Sequence, residues 1–555
     1  MGEEGGGRSC GTTRELQKLK QQALEYYREN DVPRRLEELL NSTFYLQPAD
    51  VYGHLANCFS KLAKPPTIYK VVGKNVLDGL GLPTLQVEIF CTIQNFPKSI
   101  CSVVISTHFE VHENALPELV EAEEVERADA VSTAVRWVNE TITEELRGIE
   151  PSNQAGVDQV LRIFFENKVQ EDKERKELEK SLEDSTVPVP SPLTQPPPPP
   201  LPPDKKKGQK QGRRDTFTEK PILPPEPDEH VLCGSMAIGA VSLAVAKTGA
   251  MLDGNPLYLN IALLKHHQPP PPKTETKRGH NGGKRGQQQI IGKMSHLGCL
   301  TINYDTIEQP LLLIQGICAN LGLELGRNLH LAINCAAHEL MDYSKGKYEV
   351  MMGTYKNAAE MVDLYVDLIN KFPSIIALID PFRKEDSEPW DSIYDALGAR
   401  CYLIAGTASK SISKLLEDGN IGVLKYSGLI IKHTNQTTMS DLVEITNLMD
   451  SKKHIAVFGS TEGESSDDSL VDLAVGLGVR FIKLGGLSRG ERVTKYNRLL
   501  TIEEELVQNG TLGFTEEHTF FYLNEEAEKA AVAGELPEPL ELIFPTEVLE
   551  ESTRT

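Results

Sequence analysis

The recurrence of short apolar runs in the C-terminal half of the chain is the feature that most constrains its fold. Runs typical of buried strands, with helical stretches between them, lie at 329–334, 374–379, 400–404, 428–431, 454–458 and 479–482. Strands that alternate with helices pair in parallel, with the helices packed outside the sheet. The pattern therefore predicts an α/β fold with a parallel β/α barrel. In such barrels the functional side chains lie at the carboxyl ends of the strands.

The composition argues against several classes of partner. The 555 residues carry a net charge of −22, which disfavours binding to nucleic acid or to an acidic membrane surface. We found no apolar run of the roughly 18–20 residues that a membrane span requires, so we predict no membrane partner. The nine cysteines are odd in number and lack C-x-x-C spacing. This usage favours reduced thiols in the cytoplasm over disulfides or zinc.

Residues 1–65 are predicted to form a helical extension. Apolar residues recur at helical spacing over 14–62, and Pro33 suits the first turn of a second helix. The pattern is similar to the docking-and-dimerisation helices of the kinase regulatory-subunit type. The extension could therefore bind a helical partner and support a homodimer, or it could be a helical cap on the main domain.

Residues 185–230 are predicted to be a linker. They contain five consecutive prolines at 196–200, followed by basic clusters at 205–207 and 213–214. Such a composition cannot bury enough apolar surface to form a core. We interpret the segment as an extended spacer, with a ligand for an SH3-like or profilin-like partner as the alternative.

Residues 479–506 contain the most specific motif of the chain. A strand, a glycine turn and the charged helix E-R-V-T-K-Y-N-R-L-L-T-I-E-E-E-L resemble the signature near the C-terminus of enolases. The strand at 81–90, the small-residue helix at 234–250 and the P-L-Y of 256–258 are similar to other enolase segments. The chain is therefore identified as an enolase-family member with an N-terminal extension.

The resemblance implies a domain order. The enolase-like N-terminal α+β capping domain would comprise 66–184 and 231–264, with the linker inserted between these parts. A polar loop at 265–289 would lead to the barrel at 290–512, and an acidic tail would follow at 513–555. The family has two strands and two helices where this chain has only the loop, so we expect the barrel to lack its first elements.

The resemblance also implies site residues. Lys432 holds the position of the proton-accepting lysine, and Lys483 and Gly485 hold substrate-binding positions. The resemblance implies Mg²⁺ as cofactor, but the three carboxylate positions hold Asn334, Ile379 and Gly406.

Other family positions are also changed. Asp380, next to Ile379, is a weak alternative ligand, and so is Asn334 through its amide oxygen. Leu300 replaces the assisting acid, His108 aligns with a ligand serine, and Glu462 stands at the phosphate-binding arginine.

Two functions follow from these observations. The first is a catalytically impaired enolase homologue with a structural or scaffolding role in the cytoplasm, with the cytoskeleton as one location. The second is an active lyase that interconverts 2-phosphoglycerate and phosphoenolpyruvate in glycolysis, with Lys432 as the base. Metal coordination at the barrel mouth discriminates between them.

Overall fold

The structure is a computed structural model of the chain. It describes residues 9–109, 116–186, 222–227, 229–266, 292–295, 298–419, 421, 424–459 and 464–513. Most of the predicted linker (187–221), the polar loop after residue 266 and the tail beyond residue 513 lie outside the described residues.

Helices and strands are numbered separately in chain order. The helices are α1 Ser9–Glu29, α2 Val32–Leu46, α3 Val51–Leu62, α4 Pro117–Trp137, α5 Thr143–Leu146, α6 Gln154–Thr186, α7 Met236–Asp253, α8 Leu257–His266, α9 Glu308–Leu321, α10 Ala337–Leu340, α11 Ala358–Lys371, α12 Ser387–Leu397, α13 Ile412–Asp418, α14 Met439–Ser451, α15 Ser469–Leu477 and α16 Gly490–Gln508. The strands are β1 Thr67–Leu77, β2 Pro83–Ile93, β3 Phe96–Val104, β4 Lys293–Met294, β5 Leu300–Thr301, β6 Leu331–Asn334, β7 Met341–Asp342, β8 Lys347–Met351, β9 Thr354–Lys356, β10 Ile375–Ile379, β11 Tyr402–Ala405, β12 Gly428–Lys432, β13 Ile455–Gly459 and β14 Phe481–Lys483. A π-helical turn, Val138–Ile142, joins α4 to α5.

The N-terminal domain is an antiparallel sheet covered by helices. Strands β1, β2 and β3 are adjacent in that order, and α7 packs on β2 and β3. Helix α7 is buried along almost its whole length because its residues are small and apolar. A Cβ atom at Gly239 would lie 2.5 Å from the carbonyl oxygen of Asn435, so glycine lets α7 approach the barrel closely.

Helix α7 also corrects one expectation about apolar runs. Its 18 residues are long and apolar enough, by length and composition, to cross a membrane. However, 78% of that window is buried inside the protein, against β2, β3, α6 and α8. Burial in a close-packed interior accounts for the apolar composition of this helix.

The C-terminal domain is a curled, parallel half-barrel. Its six strands are ordered β14-β13-β12-β11-β10-β6, and every neighbouring pair is parallel. The predicted α/β class and the incomplete barrel are thus confirmed. Among the described residues β6 and β14 are the edges of the sheet. Among the described residues, the two-stranded β4–β5 ribbon and α9 precede β6.

Helices α1, α2 and α3 contact mainly one another in sequence. Their apolar faces stay exposed: Leu40 is 56% exposed, Phe44 70% and Leu24 63%. A hydrogen bond from Gln94 Nε2 to Ser60 Oγ (3.0 Å) connects α3 to the hairpin between β2 and β3. The helices that the spacing predicted are present, but their apolar faces are not packed on the main domain as a cap would require.

Candidate functional site

The carboxyl ends of β12, β13 and β14 bring the two family lysines to one face of the sheet. Lys432 pairs in register with Gly459, and Gly459 pairs with Lys483. Lys432 shares a face with Ile430, and Lys483 shares one with Phe481; both of these apolar residues pack into the cluster inside the half-barrel. Since side chains alternate along a strand, both lysines lie on the concave face, with Cα atoms about 10 Å apart.

Lys432 lies at the carboxyl end of β12. Its side chain is half-buried, and within the described residues it makes no hydrogen bond or ion pair. The next residue, His433, is buried, and burial lowers the pKa of its imidazole to about 4. At neutral pH, therefore, this strand end carries the charge of Lys432 alone.

Lys483 is more exposed and leads into a glycine turn. Gly485 has a φ of +71°, and a Cβ atom there would lie 2.8 Å from Nε of Arg492. The Gly485 carbonyl accepts a hydrogen bond from the Tyr496 hydroxyl (2.5 Å). Glycine is required at this turn because an L side chain would be strained there and would displace Arg492.

The positions implied for the metal ligands meet on the neighbouring strands. Ile379 pairs in register with Asn334 on one side and with Ile404 on the other. Asn334 is exposed on the edge strand β6, whereas Ile379 packs into the apolar cluster within the half-barrel. This part of the concave face therefore presents one amide and two aliphatic side chains where a hard cation would need carboxylates.

Asp380, the weak alternative ligand, already has hydrogen-bond partners for both carboxylate oxygens. Oδ1 accepts from the backbone N–H groups of Gly406 (2.8 Å) and Ala408 (3.1 Å), and Oδ2 accepts from that of Thr407 (2.9 Å). The residue is 4% exposed and adopts a φ of +47°. Its carboxylate holds the loop after β11 in place, and that loop contains the position of the third family aspartate.

The donor set does not fit Mg²⁺. Among the residues that the structure describes, no group of three or more His, Cys, Asp or Glu side chains could hold a metal ion. Leu300 is 58% exposed on β5, and His108 stacks on Phe109 with ring centroids 4.1 Å apart. Glu462 and the segment 110–115 lie outside the described residues.

A buried polar cluster in the loop after β10 was not predicted from the sequence. Arg383 is 2% exposed and donates to Asp386 Oδ2 from Nε (2.9 Å) and to Oδ1 from Nη2 (2.7 Å). The Tyr348 hydroxyl donates to the same carboxylate, and Nη1 of Arg383 donates to the carbonyl of Leu223 at the end of the linker. The only sequence signal was an arginine directly after the D-P-F motif, which does not reveal its partners.

Comparison with known proteins gives consistent matches. A family model described as "Enolase, C-terminal TIM barrel domain" matches residues 283–519. The chain is 76% identical to Enolase 4 of Homo sapiens, with 100% of this chain and 99% of that protein aligned. It is 66% identical to Enolase 4 of Mus musculus over the full length of both, and 46% identical to Enolase 4 of Xenopus laevis over 92% of this chain and 96% of that protein.

The alignment with the human protein extends over 620 positions, whereas this chain has 555 residues. At least 65 aligned positions of that relative therefore have no counterpart in this chain.

Proposed function

Because the chain belongs to the enolase family, we propose that it is a catalytically impaired enolase homologue with a structural or scaffolding role. The observation that carries the proposal is the charge at the barrel mouth. Lys432 and Lys483 lie in register on one face, while the ligand positions beside them hold Asn334, Ile379 and Gly406.

The charge of the reaction intermediate explains why the missing carboxylates matter. Removing a proton next to a carboxylate produces a dianion, and members of the family generally bind Mg²⁺, which stabilises such charge. Two lysines can attract an anionic ligand, but they repel a divalent cation. The mouth can therefore bind a phosphate or carboxylate weakly, yet the ligand positions offer no carboxylate, and no metal-binding group of acidic side chains is present among the described residues.

A coupled assay for phosphoenolpyruvate, with magnesium and 2-phosphoglycerate supplied to the full chain, tests the proposal. We expect no turnover above the blank. Lys432→Ala and Lys425→Ala form a matched pair, because Lys425 is an exposed lysine that pairs with Asp395 at 3.2 Å, outside the mouth. Turnover that disappears in Lys432→Ala but survives in Lys425→Ala would overturn the proposal.

The alternative is an active lyase with Lys432 as proton acceptor. The specific observation in its favour is that both family lysines keep their register across β12, β13 and β14. Removing a general base typically costs about 10²–10⁴-fold in rate. The pair of lysine variants therefore discriminates between the alternatives.

Calorimetry with magnesium gives an independent test. An amide oxygen brings no net charge, and Ile379 cannot bind a cation. We expect no saturable heat when the full chain is titrated with magnesium up to about millimolar concentration. Stoichiometric heat that is abolished by Asn334→Ala would show that the mouth holds the metal after all.

We further propose that residues 14–62 dock through their exposed apolar faces and support a homodimer. Unpaired apolar area of this extent is typical of an interaction surface. Sedimentation of the full chain should give a dimer that Leu40→Asp weakens at least about tenfold, a loss expected of a central apolar contact. Leu178→Asp is the control, since Leu178 is 62% exposed on α6. Unchanged sedimentation in Leu40→Asp would contradict the proposal.

Two further proposals concern the proline-rich linker and the location of the protein in the cell. We propose that the predicted linker, residues 185–230, acts as a spacer, with an SH3-like or profilin-like partner of the proline run as the alternative. A cytoplasmic location, in contact with the cytoskeleton, fits a scaffold whose thiols are free in the described residues. Pull-down with a peptide of the proline run, compared with one whose prolines are replaced by alanine, tests the alternative.

A further inference from the structure

The end of the linker crosses the mouth of the half-barrel as an extended segment. We define the strap as residues 222–227 together with 229–230. It contacts the hairpin between β7 and β8, the loop after β10, the start of α13 and finally α6. The first three of these follow the carboxyl ends of β6, β10 and β11, so the strap connects consecutive mouth loops to the N-terminal domain.

The first contacts of the strap are apolar and backbone contacts. A Cβ atom at Gly346, in the β7–β8 turn, would lie 1.8 Å from Cδ1 of Ile222, so the isoleucine side chain rests directly on the turn. Nη1 of Arg383 donates a hydrogen bond to the Leu223 carbonyl (3.1 Å). Arg383 is buried and held by Asp386, so this donor is in a fixed position before the strap binds.

The next contacts involve the two glutamates of the strap. The backbone N–H of Glu226 donates to Glu385 Oε1 (2.9 Å), and the Glu226 carboxylate lies 3.6 Å from Nζ of Lys384. The carboxylate of Glu229 accepts from the backbone N–H of Ser411 (3.2 Å) and lies 3.5 Å from Nζ of Lys414. The two lysines are thus spaced to face the two glutamates.

The last contact joins the strap to α6. Nε2 of His230 lies 2.8 Å from Nζ of Lys176 and 3.5 Å from the carboxylate of Asp172. The apolar side chains of the strap are largely exposed: Ile222 is 41% exposed and Leu223 58%. The strap therefore buries little apolar area, and its ion pairs are solvent-exposed, so each contributes little to the free energy of binding.

We propose that these mouth loops form a binding groove for extended, proline-containing acidic peptides, and that the strap is its resident, exchangeable ligand. Prolines at 224, 225 and 227 restrict the strap backbone, which reduces the entropy lost on binding. Groups fixed on the protein then contact the backbone and two acidic side chains of the segment, a common mode of peptide recognition. The groove gives the proposed scaffold a second binding site that does not depend on the two lysines of the mouth.

Exchange in trans tests the groove. In one variant of the full chain, residues 222–230 are replaced by a Gly-Ser sequence of equal length, and a labelled peptide with the sequence of 222–230 is followed by fluorescence anisotropy. We expect saturable binding to this variant and at least tenfold weaker binding to the unmodified chain, whose own strap competes. A peptide with both glutamates replaced by lysine should not bind.

Charge reversal locates the site. Lys384→Glu with Lys414→Glu, added to the strap-replaced chain, should weaken peptide binding at least tenfold. The control pair is Lys371→Glu with Lys425→Glu, two exposed lysines whose ion pairs lie elsewhere. Equal binding with and without the reversed pair would overturn the proposal. Two other results would also overturn the proposal. One is no peptide binding to a strap-replaced chain that melts at the same temperature as the unmodified chain. The other is a dimer of the unmodified chain that dissociates when the strap is replaced.

A second measurement tests the groove even if the strap-replaced chain does not fold. In the otherwise unmodified chain, Lys384→Glu with Lys414→Glu should increase protease cleavage within the strap. Adding Glu226→Lys with Glu229→Lys should restore protection, because the charges are again opposite. Failure of this rescue would overturn the groove without bearing on the assay for phosphoenolpyruvate.

Discussion

Charged side chains have different surroundings at the junction between the two domains and at the mouth of the half-barrel. At the junction two largely buried cations of the C-terminal domain each have a carboxylate partner: Lys495 donates to Glu464 at 2.7 Å, and Arg498 donates to Asp472 at 2.7 Å. Both acidic residues also accept hydrogen bonds from the N-terminal domain, the Glu464 carbonyl from the Gly79 N–H (2.8 Å) and Asp472 Oδ1 from the Tyr258 N–H (3.2 Å). At the mouth, Lys432 has no ionic partner among the described residues, and the carboxylate of Asp380, beside the ligand positions, accepts hydrogen bonds from backbone N–H groups.

The difference follows from the cost of burying charge. A buried ion is tolerated only when it is paired and hydrogen-bonded, so losing one member of a junction pair leaves the other uncompensated. The carboxylates of a metal site repel one another and are stabilised mainly by the metal. The mouth can therefore lose metal-site carboxylates without destabilising the fold. Loss of one partner from a buried ion pair at the junction would destabilise it. The comparison predicts large effects of substitution at the junction and small ones at the mouth.

The largest effect is expected for Lys495→Met. Lys495 is 2% exposed, and its ammonium also donates to the carbonyls of Ser465 (3.0 Å) and Glu491 (3.2 Å). The substitution keeps most of the side-chain volume but leaves Glu464 buried without its closest cation. The free energy of unfolding should fall by about 3–5 kcal/mol in urea denaturation.

Lys425→Met is the control for this substitution, because the Lys425 ion pair is exposed. It should change stability by no more than about 0.5 kcal/mol. A loss below about 1 kcal/mol in Lys495→Met would remove the contrast between junction and mouth.

His433 should make stability depend on pH. Burial lowers the pKa of its imidazole to about 4, outweighing its backbone hydrogen bonds and the charges of Asp467 and Asp441, which act in the opposite direction. An unfolded chain takes up the proton near pH 6.5, so protonation favours unfolding. This contribution is complete above about pH 6.5 and is lost as the pH falls to about 4, which amounts to about 3 kcal/mol.

Denaturation at pH 7.0 and pH 4.5 measures this dependence. In His433→Gln the difference between the two pH values should shrink by most of that amount. His266→Gln, which alters an exposed histidine at the end of α8, should leave the difference as it is in the unmodified chain. An unchanged difference in His433→Gln would place the acid sensitivity elsewhere.

A smaller effect is expected for Ser242→Ala on α7. The Ser242 hydroxyl donates to Asp158 Oδ1 (2.6 Å) and accepts from the backbone N–H of Met439 (2.9 Å), joining α6, α7 and α14. Its loss leaves buried polar groups unsatisfied and should cost about 1–3 kcal/mol. Ser181→Ala, at an exposed serine of α6, should cost less than about 0.5 kcal/mol; equal losses in the two variants would show that the network does not hold the junction.

The sequence was sufficient to predict the parallel strands, because apolar runs typical of buried strands alternate with helical stretches along the C-terminal half of the chain. The resemblance to enolases identified Lys432 and Lys483 as site residues, and the structure places both at the carboxyl edge of the sheet. The helices of residues 14–62 followed from apolar spacing, although their exposure could not be predicted. Spacing shows which face is apolar, but not whether anything covers it.

The roles of Asp380 and of the strap could not be predicted, because both depend on contacts between segments that are distant in sequence. Asp380 adopts a positive φ, and three N–H groups of the next loop hold its carboxylate. The strap reads as the end of a linker, since nothing in its prolines and acids indicates the lysines that face them.

The smallest effect is expected for Lys432→Met, the same substitution as in the junction but at the mouth. Lys432 has no partner among the described residues, so its removal leaves no opposite charge unpaired. Methionine keeps the apolar contacts of the lysine stem, which is half-buried. The free energy of unfolding should change by less than about 1 kcal/mol, in either direction. A loss above about 2 kcal/mol would mean that Lys432 pairs with a carboxylate outside the described residues, such as Glu462. The mouth would then obey the same rule as the junction, and the double substitution Lys432→Met with Glu462→Gln should restore the stability that the single one removes.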